Sequence, residues 1–159
     1  MASERLSHLD DEGRVRMVDV GGKEVTARSA LAEGEIGMEP ATLAAVLAGE
    51  SAKGNVLAVA RVAAIGGAKR TADIVPLCHP LPLDAVEVDI DADETLPGLR
   101  IRVRAAARAR TGVEMEALCG VAAGLLAVYD MCKGVDRGMR IGPIRLIEKR
   151  GGASGTWRR

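Results

Sequence analysis

Apolar positions along the chain change period several times, and the changes mark the elements. Between Leu118 and Val128 nearly every residue is apolar, so a helix there must be covered on almost every side. The surrounding stretch, Thr111 to Lys133, has no proline, and its charges gather at the ends: Glu114 and Glu116 at the start, Asp130 and Lys133 at the finish. Thr111 followed three residues later by Glu114 predicts a capping box, hydroxyl to one orphan amide and carboxylate back to another. The pattern predicts one helix over 113–132, about 30 Å long. Glu116 and Asp130 are fourteen residues apart, close to four turns, and so share a face. They are also about 21 Å apart along the axis. A single small pocket cannot take both from one copy of the helix. Either they serve different sites or a second chain brings its own helix end alongside.

The other periods are read in chain order. Val15, Met17, Val18 and Val20 predict a strand ending at Gly21-Gly22, and 23–30 a second extended stretch carrying Arg28. Pro40 opens a short helix that Gly49 closes. Lys53-Gly54-Asn55 is a tight connection, with Asn55 placed to cap a second long apolar helix over 56–68. Gly66 and Gly67 weaken its last turn or let another backbone come close. PLCHPLP, residues 76–82, is stiff and irregular. A hairpin follows, in which Val86, Val88 and Ile90 alternate with acids, and Leu99, Ile101 and Val103 with arginines. One face is apolar; on the other an acidic strand pairs with a basic one. A last strand spans 139–148, demoted to an edge or bulge at Pro143.

From the second extended stretch the order is β, α, β, β, α, β. That is the split βαβ pattern of an α+β, ferredoxin-like fold, with an antiparallel sheet, helices on one face and extra N-terminal elements. Residues 1–13 are polar and expected to be mobile; 14–150 form one domain; 151–159 are a basic, glycine-rich tail.

Composition narrows the function classes. Acids and bases balance at 22 each, and Tyr129 and Trp157 are the only aromatic residues. Neither nucleic acid nor a membrane surface is implied, and RNA platforms that stack bases on sheet aromatics are disfavoured. No run of about 18 apolar residues is expected to span a membrane. Cys78, Cys119 and Cys132 are odd in number and widely spaced, as in a cytosolic protein with reduced thiols. Their spacing with His79 does not match the usual zinc sites, so no metal is expected.

Several residues carry candidate chemistry beside a plain structural alternative. His79 is either a ring held in a proline turn or a general acid/base near neutrality. Lys53 is either a solvated loop lysine or a site cation; Glu114 is either the capping acid or part of a site. Asp130 and Lys133 are neighbours at i,i+3, most simply a helical ion pair. Lys69 and Arg70 end a helix whose dipole favours cations. After the last strand, backbone amides and cations of the tail are either a frayed end or a phosphate cradle.

MVDVGGK (17–23), KGNVLAVARVA (53–63), AKRTADIVPLCHPL (68–81), TGVEMEAL (111–118), VYDMCKGVD (128–136) and KRGGASG (149–155) together resemble the MoaC family. The likeness runs in register from about Leu6 to Gly155 and departs at Asn55, Gly66-Gly67 and Gly134. It implies a ferredoxin-like protomer in a hexamer, a trimer of dimers with sites between subunits. It also implies an enzyme of molybdenum-cofactor biosynthesis, a lyase. Such an enzyme converts the 3′,8-cyclo-dihydro derivative of GTP to cyclic pyranopterin monophosphate and pyrophosphate, with no cofactor, redox step or metal. By the same resemblance the catalytic set is Lys53, His79, Glu114, Glu116, Asp130 and Lys133, with Asp130 as the active-site acid. Leu77, Cys78, His79, Met115 and Glu116 match segments that contact substrate. Arg28, Lys69, Arg70 and Lys149 are candidates for the triphosphate, Lys149 through the tail motif. Which of Asp130 and Lys133 is the base stays open. A non-catalytic nucleotide- or pterin-binding oligomer is the alternative.

Overall fold

The computed structural model describes residues 8–49 and 53–159. Most of the expected N-terminal segment, residues 1–7, lies outside them. In chain order the elements are β1 (Thr26–Gly37), α1 (Pro40–Ala48), α2 (Val56–Lys69), α3 (Thr71–Ile74), β2 (Ala85–Asp93) and β3 (Gly98–Ala109). Then come α4 (Glu114–Cys132), β4 (Arg140–Ile141), β5 (Arg145–Arg150) and β6 (Trp157–Arg158). The sheet order is β2-β3-β1-β5-β6, antiparallel at every pairing, with β4 also on β1. The β1, β3 and β5 strands with the β2–β3 hairpin reproduce the split βαβ topology expected from the pattern, with two extra strand pieces at the end.

The core lies between the sheet and the pair α2 and α4. Alternate residues of β1 (Ala30, Ala32, Ile36) and β3 (Leu99, Ile101, Val103, Ala105) are buried, as a two-residue period requires. Ile36, Leu99, Ile101 and Leu125 are the largest fully buried side chains, each contributing about 1.5–3 kcal/mol of transfer free energy. Helix α4 crosses α2 through small residues. A Cβ on Gly120 would lie 3.1 Å from the Ala64 carbonyl, and one on Gly124 3.3 Å from Ala64 Cβ. A Cβ on Gly67 would collide with Ala123 and sit 2.8 Å from the Cys119 carbonyl. Gly67 therefore exists for close approach of α4, whereas Gly66 has open space.

The opposite face of the sheet carries the charges. Register sets Asp91 opposite Arg100 and Asp89 opposite Arg102, yet the ion pairs step diagonally: Arg102 to Asp91 at 2.9 Å and Arg100 to Asp93 at 2.9 Å. Glu33 on β1 receives Arg145 at 2.7 Å from the other side.

Four expectations are corrected. The strand over 15–20 does not form; the described segment has only an isolated Leu9–Val15 bridge and pairs with no strand of the sheet. The second extended stretch does not stop at Ala30 but continues to Gly37. At Gly34, within this continuation, Val121 and Leu125 of α4 press on the strand. The capping box is absent. The N-cap is Val113, with no side-chain cap, so Glu114 begins the helix and Thr111 stands two residues upstream. Finally, α4 is long and apolar enough to cross a membrane by length and composition. It passes that measure because it is the core helix, packed on both α2 and the sheet.

The single last strand expected over 139–148 is broken around Pro143 into β4 and β5, which runs on to Arg150, while two cap signals act as expected. Gly49 closes α1 at φ 73°, and Asn55 accepts from Ala58 N at 2.9 Å at the start of α2. The residue that departs from the family pattern thus keeps its capping role. Gly134 has open space where a Cβ would stand.

Candidate active site

Three contiguous hollows run along the N-terminal end of α4. The largest, about 690 Å³, is lined by Lys23, Arg28, Arg110, Glu114, Lys149, Arg150 and the turn from Gly151 to Ser154, among others. It shares Lys23, Thr111, Gly112 and Glu114 with a second of about 270 Å³, which Leu77, Cys78, His79, Met115 and Glu116 also line. That one in turn shares Leu81 and Glu116 with a third of about 310 Å³, which holds Lys69, Arg70 and Asp73. The result is a trough with cations at both ends and carboxyl groups, an imidazole and a thiol in the middle.

Local structure explains each placement. The proline-bound segment after α3 cannot continue as a helix and carries His79 along the trough wall. Helix α4 starts just after Gly112, where the Glu114 carboxyl folds over a position that a Cβ would fill. Glu116 is 4% exposed and has no cation within ion-pair distance among the described residues. Burial pushes its carboxyl above the ordinary range, and the charge of Glu114 adds to the shift. Burial and then Glu116 also raise the Cys78 thiol, so it is a neutral wall of the hollow rather than a thiolate nucleophile. Arg28 is held by the Ala109 and Arg110 carbonyls at 3.4 and 3.5 Å, and Lys149 donates to Ser154 Oγ. Gly151 and Gly152 turn the chain at φ 95° and 76°, bending the backbone around this end.

Asp130, Lys133 and Lys53 form a separate cluster at the C-terminal end of α4. Lys133 Nζ lies 2.6 Å from Asp130 Oδ1. Lys53 Nζ donates to the Asp130 carbonyl at 2.8 Å and lies 3.6 Å from its Oδ2. Lys53 is therefore not simply a solvated loop lysine: it satisfies an orphan carbonyl where the helix dipole attracts cations. Hydrogen bonding to Lys133, the Lys133 charge and then Lys53 hold the Asp130 carboxyl below its usual range. The same contact holds the Lys133 ammonium up. Within one chain Asp130 is thus firmly ionised and Lys133 firmly protonated, and both side chains are more than half exposed, at 61% and 52%.

The structure thus gathers Arg28, Lys69, Arg70, Leu77, Cys78, His79, Glu114, Met115, Glu116 and Lys149 in the trough. It leaves Lys53, Asp130 and Lys133 together at the far end of the helix. Lys23, Arg110 and Arg150 escaped the sequence argument, though each is a cation beside a glycine pair or at a strand end.

Fold and site define a ferredoxin-like protein with a polar, cation-ended trough. A family model described as the MoaC family matches residues 17–152. The chain belongs to the MoaC family. It is similar to the cyclic pyranopterin monophosphate synthases of Brucella ovis, Brucella melitensis biotype 2 and Brucella abortus strain 2308. Each is 56% identical over 155 residues, covering 98% of this chain and 94% of the relative.

Proposed function

We propose that this chain is a cyclic pyranopterin monophosphate synthase of molybdenum-cofactor biosynthesis. It acts in the cytoplasm as a hexamer on the 3′,8-cyclo-dihydro derivative of GTP. The observation that carries the reading is the buried Glu116, which lines one hollow of the trough with His79 and the next with Lys69 and Arg70; the names of the relatives favour it independently.

In this reading the guanine-derived ring lies against Leu77, Met115 and His79. Opening its five-membered ring and closing the pterin need proton donors and acceptors on both sides. Glu116, with its raised carboxyl, suits proton exchange nearer neutrality than an ordinary carboxylate, and Glu114 and His79 stand beside it. A sugar hydroxyl then gives its proton to a base of the site as its oxygen attacks the α-phosphate. The bond from that phosphorus to the bridging oxygen breaks, and the pair of electrons leaves on pyrophosphate. Arg28, Lys149 and the glycine turn stabilise the charge that develops there. Asp130, Lys133 and Lys53 come from a neighbouring chain, whose contact changes the balance between the ionised acid and the protonated lysine. The chemistry is acid–base throughout and needs neither metal nor redox cofactor.

The test supplies the purified protein with the cyclo-dihydro derivative and follows both products. One pyrophosphate per cyclic pyranopterin monophosphate, at a rate that a chelator leaves unchanged, is the expected result. Tight binding without turnover would point instead to a nucleotide- or pterin-binding module. Loss of turnover together with stoichiometric zinc would show that Cys78 and His79 hold a metal.

A further inference from the structure

The buried Glu148 carboxylate joins three arginines from three strands. Arg158 Nε lies 2.6 Å from it, Arg150 Nε 2.8 Å and Arg104 Nη1 3.3 Å. The Arg158 contact is more than a surface ion pair, because backbone pairing holds it in place. Glu148 stands opposite Arg158 and Lys149 opposite Trp157, and Arg159 N donates to the Ile147 carbonyl at 3.0 Å. Between the two strands the chain makes the glycine turn of the trough. Gly155 N donates to the Gly152 carbonyl at 3.1 Å, and Ser154 accepts from Lys149. Side chains are strained at the first two positions, both at positive φ. A Cβ on Gly151 would strike the Ala27 carbonyl, and one on Gly152 the Arg28 guanidinium. Arg158 itself does not line the trough, and it lies beyond the family match, which ends at residue 152.

We propose that the Glu148–Arg158 pair is a latch. It closes the C-terminal strand onto β5 and so holds the Gly151–Ser154 turn and Lys149 in position for the substrate's phosphates. Arg158 is a positioning residue for binding, acting through Glu148 and the turn. The latch rests on reading this end of the trough as the phosphate subsite. A turn of glycine, alanine and serine has much conformational freedom to lose. Unlatched, it must be ordered afresh at each binding event, which weakens affinity. Removing Arg158 leaves Glu148 still paired with Arg104 and Arg150, so no orphan charge is buried and the fold survives.

Four variants of the full assembly test it: Arg158→Ala, Arg158→Lys, a chain ended after Gly155, and Lys149→Ala. Pyrophosphate binding is measured by calorimetry, with kcat and KM for the cyclo-dihydro derivative and thermal unfolding alongside. Arg158→Ala and the shortened chain are expected to raise the pyrophosphate Kd and the KM about tenfold, with kcat and unfolding close to wild type. Arg158→Lys is expected to recover part of the affinity. Wild-type affinity in Arg158→Ala with weakened binding in Lys149→Ala overturns the latch and leaves the subsite standing. Wild-type affinity in both overturns the subsite, and the latch with it. A fall in kcat and unfolding temperature in step with affinity, unrescued by lysine, shows a merely structural contact and also overturns the latch.

Discussion

Glu116 and Asp130 stand on one face of the same helix, one buried beside the trough and the other largely exposed at the far end. Fourteen residues separate them, so they are about 21 Å apart along the axis. Each belongs to its own constellation: Glu116 with His79 and Glu114, Asp130 with Lys133 and Lys53. Neither constellation has both the buried carboxyl and the ionised pair. A site that uses both takes them from two chains.

Assembly is the first consequence. Val62, Leu126 and Val59 are 70%, 60% and 41% exposed on the outer sides of α2 and α4, an apolar surface a lone chain leaves in water. Sedimentation is expected to show a stable multimer, six chains, at micromolar protein. A monomer there would also remove the shared site.

The burial of Glu116 has a signed effect on stability. Its folded carboxyl holds the proton more tightly than the unfolded one. Its own contribution to stability is therefore fully present below the unfolded value of about 4.5 and is lost as pH rises through the folded pKa. Glu116→Gln removes that penalty. Thermal unfolding is expected to show the variant more stable than wild type at neutral pH and equal to it in acid. Its turnover should fall about 10²–10⁴-fold, the usual range for a lost acid or base. Equal unfolding at all pH values would mean that the carboxyl titrates normally.

Glu148 behaves in the opposite sense. Arg150, then Arg158 and Arg104, hold its carboxyl down at about 2. Its folded value lies below the unfolded one, so its contribution is present above about 4.5 and is lost as pH falls toward 2. Glu148→Gln is expected to be less stable than wild type at pH 7, with the gap closing in acid. A constant gap across that range would assign the loss to packing.

The crossing of α2 and α4 offers a paired control. Gly67→Ala places a methyl against Ala123 and the Cys119 carbonyl and should cost about 1–3 kcal/mol in overpacking. Gly66→Ala meets nothing within 4 Å and should add up to about 1 kcal/mol through helix propensity. Denaturant unfolding at one fixed protein concentration compares them. Equal effects would mean that the crossing is looser than the contacts imply.

Periodicity made most of the fold legible. The alternation of Leu99, Ile101 and Val103 with arginines, and the apolar run around Val121, found β3 and α4 within a residue at the helix ends. What escaped depended on tertiary contact. The strand past Ala30 carries Gly34, whose place is set by α4 lying on it, and Thr111 reads as a cap until Val113 is seen to precede the helix. The N-terminal valines have the pattern of a strand but join no strand of the sheet beyond the Leu9–Val15 bridge. In the site, the titratable residues lay in recognisable motifs, while Lys23 and Arg110 enter the trough only because β1 and β3 end side by side. Only the helix length, read as a distance, separated the two constellations beforehand.

Intersubunit complementation tests the shared site most directly. Glu116→Ala and Asp130→Ala are first shown to fold and assemble, each nearly inactive alone. They are then unfolded, mixed and refolded together. Some interfaces of the mixed oligomers receive a sound Glu116 from one chain and a sound Asp130 from the other, and part of the turnover is expected to return. Sites formed the other way round carry both lesions, which limits the recovery. Mixed oligomers that form yet show no turnover would contradict the account: the two ends of α4 would then not serve one site.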